Sequence, residues 1–142
     1  MIAWAAFDTA LGRCAVAWGD AGIVGTQLPE VDPAMLLSRM QQRFPGSAQG
    51  LPSAAIASAI AAIQAMLRGE AADWSSATLD WRSVPAFHRR VYETALSIAP
   101  GRTLTYGEVA IRLGQPGAAR AVGQALGKNP FAPIVPCHRV LA

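Results

Sequence analysis

A cysteine and a histidine stand side by side near the end of the sequence, in the stretch PIVPCHRVLA. Pro136 precedes the pair, so it fixes a backbone dihedral and stiffens the turn that carries Cys137. His138 and Arg139 place positive charge beside the thiol, and positive charge favours the thiolate, the reactive form of cysteine. The stretch therefore predicts a nucleophilic Cys137 on a rigid turn; the alternative is a buried structural thiol.

The other cysteine, Cys14, lies in an apolar run that predicts a strand, where we expect a small buried core residue. Two cysteines are too few for a disulfide framework or a four-ligand zinc site. Free thiols favour a reducing, cytoplasmic setting.

The charges are divided unevenly along the chain. Residues 1–80 contain four basic and seven acidic side chains, and residues 81–142 contain eight basic and two acidic ones, so the halves carry −3 and +6. A basic half predicts a polyanionic partner such as nucleic acid; the alternative is ordinary solubility charge. The composition, 52% hydrophobic and 15% charged, excludes disorder, and neither a transmembrane segment nor a secretory signal is predicted.

The sequence pattern of residues 1–80 predicts a small α/β domain. Three short apolar runs, IAWAAFD, GRCAVAWGD and GIVGTQL, are separated by turn residues and predict an antiparallel meander. DPAMLLSRMQQRF predicts a helix with Asp32 as its N-cap and an apolar side formed by Met35, Leu36, Met40 and Phe44. LPSAAIASAIAAIQAMLRGE predicts a second helix that Gly69 ends, and a strand is expected around residues 79–81. The charge shift then places a domain boundary near residue 80.

Residues 81–142 have a mostly helical pattern. AFHRRVYETALSIAP predicts a helix with Arg89 and Arg90 on its outer side. TYGEVAIRLG predicts a second helix, in which Thr105 and Glu108 have the spacing of a capping box. PGAARAVGQALGKNP predicts a third, and the tight Gly/Pro turn between the last two is typical of a helix-turn-helix.

The third helix has one long polar side chain, Arg120, among small residues: Ala118, Ala119, Ala121 and Gly123. Such a helix offers few donors or acceptors to the major groove, but it can approach the narrow minor groove closely. A lone arginine could there occupy the gap left by a displaced base. The alternative is a small-residue helix packed against a neighbour.

The stretch from Phe87 to Val140, which ends in PCHRV after RAVG and NP, resembles the C-terminal domain of the O6-alkylguanine-DNA alkyltransferases, or methylated-DNA–protein-cysteine methyltransferases. Residues 1–80 resemble the variable N-terminal domain of that family in architecture only. The resemblance implies an α/β N-terminal domain over residues 1–80, ribonuclease-H-like, with a small antiparallel sheet and helices. It implies a mostly α, winged-helix-like DNA-binding domain over residues 81–142.

The resemblance also implies the reaction and the partner. An alkyl group, such as methyl, moves irreversibly from O6 of guanine in DNA to Cys137, with O4-alkylthymine as a second candidate substrate. The implied partner is double-stranded DNA, bound through its minor groove with the alkylated guanine flipped out, by a monomer that uses no metal or other cofactor. Two alternatives remain open: a non-enzymatic module that binds alkylated DNA, and a truncated, inactive fragment.

Roles for single residues follow from the same resemblance. His138 takes the thiol proton of Cys137 through a water, and Tyr106 hydrogen-bonds the flipped guanine. Asn129 braces the active-site turn, which Pro136 stiffens, and the carbonyl of Val140 accepts the guanine amine. The implied DNA-binding residues are Arg120, which fills the vacated stack, and Thr105, Ala118, Ala119, Ala121 and Gly123.

The family places a glutamate that orients the histidine, a loop that covers the guanine and a last helix downstream of PCHRV. The sequence ends at Ala142, and neither Glu93 nor Glu108 matches that glutamate. From the sequence we therefore expect an interrupted domain, in which His138 is a poorer base.

Overall fold

The computed structural model describes residues 1–142, which divide into two compact units, Met1–Asp80 and Trp81–Ala142. In the first unit, β1 (Ala3–Thr9), β2 (Gly12–Gly19) and β3 (Gly22–Gln27) form the predicted antiparallel meander. A fourth strand, β4 (Ala48–Gln49), pairs parallel with β1, so the sheet is mixed, in the order β3-β2-β1-β4. The prediction of an antiparallel sheet was wrong in this strand, because two residues are too short for a periodic pattern.

The first unit also contains two helices, α1 (Met35–Arg43) and α2 (Ala54–Leu67). The predicted N-cap of α1 was wrong: Asp32 accepts a hydrogen bond from the Ala34 amide at 3.0 Å through Oδ1, which forms a turn, and the helix begins only at Met35. Of the four residues predicted to share the apolar side, Leu36 and Met40 are buried and Phe44 packs partly buried against them, whereas Met35 is exposed. At the end of α2, Gly69 has a φ of +76°, the left-handed conformation expected of a helix stop.

One core cluster of the first unit lies between the sheet and α1, and α2 contributes further buried residues. Its central residues are Trp4, Ala15, Ala17, Leu36 and Met40. Cys14, in β2, is 2% exposed, which confirms its predicted place in the core. The strand expected around residues 79–81 is reduced to an isolated parallel bridge between Leu79 and Ile23.

The second unit consists of three helices and a two-stranded parallel sheet. The elements are α3 (Ala86–Leu96), β5 (Leu104–Thr105), α4 (Tyr106–Arg112), α5 (Ala119–Gly127), a 3₁₀ turn (Cys137–Arg139) and β6 (Val140–Leu141). The capping box is confirmed, since the Thr105 hydroxyl accepts from the Glu108 amide and the Glu108 carboxylate accepts from the Thr105 amide, both at 3.0 Å. No helix of either unit is both long and apolar enough to cross a membrane.

An aromatic cluster closes the second unit beside α3. The ring of Trp81 stacks on Tyr92 at 6.4 Å and meets Phe131 edge-on at 5.4 Å between ring centroids. Tyr92 and Phe131 are fully buried. The guanidinium of Arg89 lies 5.0 Å from the centre of the Trp81 ring, so an outward-facing arginine covers the cluster.

Candidate active site

Cys137 lies on a turn that two backbone hydrogen bonds close. Its amide donates to the Val135 carbonyl at 2.8 Å across Pro136, whose φ of −81° and ψ of 71° are those of an inverse γ-turn. The Arg139 amide donates to the Pro136 carbonyl at 2.9 Å. Pro136 is fully buried, whereas the free thiol residue Cys137 is half-buried. The turn therefore holds the thiol at the surface on a fixed backbone.

Asn129 fixes the loop that leads into this turn. Its side-chain amide donates to the Val135 carbonyl at 2.9 Å, and its side-chain oxygen accepts from the Phe131 amide at 2.9 Å. Its own backbone amide donates to the Leu126 carbonyl in the last turn of α5. One residue, through its backbone and its side chain, thus joins the end of α5 to the carbonyl against which the Cys137 turn folds.

The other side of the turn is held by Arg139 and by β6. Arg139 donates from Nη1 to the Ile98 carbonyl at 3.0 Å, just after the end of α3. Val140 is buried and pairs with Leu104, and Leu141 pairs with Thr105. Tyr106, which begins α4, directly follows the strand that pairs with the end of the cysteine turn.

Tyr92 is a residue of this site that we did not predict from the sequence. Its hydroxyl donates to the Ala125 carbonyl at 2.6 Å and so joins α3 to α5. Burial and, second, the negative charge of an ionised Cys137 raise the pKa of Tyr92 to about 12. Tyr92 is therefore an uncharged phenol near the thiol, and its hydroxyl proton is donated to the Ala125 carbonyl in α5. A helical position of this kind gives no signal of such a bond, because the apolar pattern alone accounts for a buried tyrosine.

Burial and a neighbouring charge keep the imidazole of His138 in its neutral form. Much of its side chain reaches solvent, yet its partial burial against the turn, and then the charge of Arg139, lower the pKa of His138. The neutral form, which has a free lone pair, therefore dominates at neutral pH. Next to a thiol, a neutral imidazole can act as a general base.

The residues expected to contact DNA lie at the start of α4 and along α5. Arg120 is exposed in the first turn of α5 and has no ion-pair partner. Gly123 faces the ring of Tyr106, since a Cβ atom added to it would lie 3.0 Å from Cε2 of that ring. The hydroxyl of Thr105 caps α4. The remaining small residues of the predicted set, Ala118, Ala119 and Ala121, are half-buried.

Comparison with known proteins gives matches to both units. A family model described as "6-O-methylguanine DNA methyltransferase, DNA binding domain" matches residues 86–142. The methylated-DNA–protein-cysteine methyltransferase of Mycobacterium bovis is 46% identical over 87 residues, which cover 61% of this chain and 52% of that protein. The bifunctional transcriptional activator/DNA repair enzyme Ada of Escherichia coli is 34% identical over 140 residues, 99% of this chain and 39% of Ada. The chain spans about half the length of the curated relatives it matches.

Two solved structures from Mycobacterium tuberculosis are similar to this chain over nearly its whole length. The O6-methylguanine methyltransferase superposes with a TM-score of 0.79 at 34% identity, covering 100% of this chain and 79% of that one. The OGT protein in complex with DNA superposes with a TM-score of 0.78 at 31% identity, covering 98% and 78%. The family predicted from the PCHRV stretch is thus confirmed on both sequence and fold, and the chain belongs to the methylated-DNA–protein-cysteine methyltransferases.

Proposed function

We propose that this protein repairs alkylated DNA by moving an alkyl group from O6 of guanine to Sγ of Cys137. The observation that carries the proposal is the free, half-buried thiol on the closed Pro136 turn, followed in the chain by His138, the pKa of which burial lowers. The relatives named as methylated-DNA–protein-cysteine methyltransferases support this assignment.

The proposed step is a displacement at the alkyl carbon. A lone pair of the Cys137 thiolate forms the new S–C bond while the C–O6 bond breaks and its electron pair stays on the guanine. The thiol proton passes to His138 through a water and from there to solvent, and the departing base takes up one proton from solvent, helped by a hydrogen bond from Tyr106, so that neutral guanine remains. Because carbon is displaced from an ether oxygen, a soft, strong nucleophile is required, and a thiolate is one. The product thioether is stable, so each molecule acts once.

The second unit supplies the proposed contact with DNA. We assign it a winged-helix-like role, in which α4 and α5 form the helix-turn-helix and the small face of α5 enters the minor groove. A guanine inside a duplex must be rotated out of the stack, which costs a few kcal/mol. Arg120, exposed and unpaired at the start of α5, would fill the vacated space. The net basic charge of residues 81–142 attracts the phosphates.

The first unit and the cellular setting belong to the same proposal. The meander with its parallel fourth strand supports a ribonuclease-H-like fold for residues 1–80. Two free thiols support a reducing cytoplasm, and a single copy carries a complete Cys–His pair, so we propose a monomer.

A duplex oligonucleotide with a single O6-methylguanine tests the function directly. After reaction, the peptide that contains Cys137 should gain the mass of one methyl group, and the Cys14 peptide should gain none. Cys137→Ser should abolish transfer and keep DNA binding, and the matched variant Cys14→Ser should retain full transfer. Methyl on Cys14, repeated turnover, or binding without any methyl gain by Cys137 would each contradict the proposal.

A further inference from the structure

Gly123 lies in the middle of α5 and faces the ring of Tyr106. A Cβ atom added to Gly123 would lie 3.0 Å from Cε2 of Tyr106, 3.3 Å from Cδ2 and 3.6 Å from Cζ. These three atoms form one edge of the ring, and Cζ carries the hydroxyl. The tyrosine ring therefore occupies the space that a side chain at this helix position would take.

Glycine inside a helix needs a reason, because it is the poorest helix former apart from proline. Gly127, in the last turn of the same helix, offers an internal comparison. A Cβ atom added to Gly127 would meet nothing within 4 Å. Packing thus accounts for the glycine at position 123 and not for the one at position 127.

The backbone of Tyr106 is fixed from its other side. Tyr106 is the first residue of α4, directly after Thr105, whose hydroxyl and amide are both engaged in the capping box with Glu108. Thr105 also pairs with Leu141 in the sheet of β5 and β6. With the backbone held, the position of the tyrosine hydroxyl depends on the side-chain torsions, and the contact with Gly123 limits them.

The contact also lies on the face of α5 that is expected to meet DNA. Residues three or four apart in a helix share a face, so Gly123 lies one turn after Ala119 and Arg120 on the same side of α5. The Tyr106 ring therefore lies against the side of α5 that also carries Arg120.

We infer that Gly123 is a positioning residue for Tyr106: its missing side chain lets the ring lie against α5 and sets where the hydroxyl meets the flipped base. The inference rests on the proposed function, in which Tyr106 donates a hydrogen bond to the guanine. Contact between Gly123 and DNA remains a separate prediction.

The first test measures single-turnover methyl transfer from free O6-alkylguanine base. Gly123→Ala should slow transfer about tenfold, because the ring must move by a few tenths of an ångström and misplaced reacting groups slow catalysis steeply. Gly127→Ala, the matched control, should leave the rate unchanged. In a Tyr106→Phe background, Gly123→Ala should cause no further loss, because the hydroxyl through which it acts is gone. Equal losses in both backgrounds would overturn the inference.

The second test does not depend on activity. The protein has two tyrosines, Tyr92 and Tyr106, so carbon-13 labelling of tyrosine gives a spectrum of two rings. Gly123→Ala should shift the ring signals of Tyr106 and leave those of Tyr92, and Gly127→Ala should shift neither. Unmoved Tyr106 signals would overturn the inference even in an active protein. Shifted signals in a protein that transfers no alkyl group would support the packing and overturn the proposed function instead.

Discussion

The two cysteines of this protein lie in different settings, one in each unit. Cys14 is in the middle of β2, 2% exposed, with its sulfur 3.6 Å from the Thr9 hydroxyl, and burial raises the pKa of its thiol. Cys137 is half-buried on a closed turn beside His138, in the basic unit. The difference shows that the backbone decides the role of a thiol. The middle of β2 is buried on both faces, so it buries every side chain from Cys14 to Ala17, whereas a proline turn can hold a side chain at the surface.

The largest expected effect is the difference in reactivity between the two thiols. In the native protein, iodoacetamide should label Cys137 about a thousandfold faster than Cys14, a ratio that corresponds to an opening free energy of about 4 kcal/mol for the buried strand. Mass spectrometry of peptides after timed labelling measures both rates. In urea the two rates should converge, because the unfolded chain exposes both thiols. Similar rates in the native protein would remove the basis of the comparison.

A smaller effect is expected when an arginine of each unit is replaced by alanine and the repair rates are compared. Arg13 is paired with Asp8 at 2.9 Å in the first unit, whereas Arg120 is exposed and unpaired in the second. Arg120→Ala should slow repair of duplex DNA about a hundredfold and change the reaction with free alkylated base less than about twofold, because only the duplex requires base flipping. Single-turnover rates on the two substrates measure this, with Arg13→Ala as the control that changes neither. Equal losses on both substrates would show that Arg120 does not replace the flipped base.

The smallest expected effect concerns pH. Burial, and then the charge of Arg139, lower the pKa of His138, so the neutral base persists into mildly acidic solution and is lost only as the pH falls through that lowered value. The transfer rate should therefore stay constant down to pH values below the usual pKa of histidine, and fall only at lower pH. Arg139→Gln keeps an N–H donor for the Ile98 carbonyl but removes the charge.

This substitution should move the acid fall of the rate upward by less than about one pH unit, since burial, the larger cause, remains. The pH dependence of the single-turnover rate and an NMR titration of His138 measure the shift independently. An acid fall that stays in place, or that moves downward, would show that Arg139 does not act on His138 through its charge.

The parts of the fold that the sequence predicted are those with local causes. The capping box of Thr105 and Glu108 could be predicted because both residues and both bonds lie within one helical turn. Asp32 has the same kind of local signal, but its side chain can cap a turn or a helix with a similar bond, and here it caps the turn.

The bonds that place the cysteine turn could not be predicted in this way. Arg139 reaches the Ile98 carbonyl, 41 residues away, and Tyr92 reaches the Ala125 carbonyl, 33 residues away. Both acceptors are backbone carbonyls, which every residue has, so no residue type marks the partner. The pairing of β5 with β6 also gives no signal in the sequence, because strands of two residues are too short to show an alternating pattern.

The hydrogen bond across Pro136 also separates this site from other Cys–His sites. Enzymes that cleave amides or esters stabilise a negative oxygen on the tetrahedral intermediate, often with the backbone N–H of the nucleophile itself. Here the Cys137 amide is already bonded to the Val135 carbonyl at 2.8 Å, and the Arg139 amide to that of Pro136. Neither donor is free to form an oxyanion hole. These two amides therefore offer no donor to an oxyanion, and the proposed attack on a saturated carbon, where no oxyanion forms at the carbon attacked, requires none.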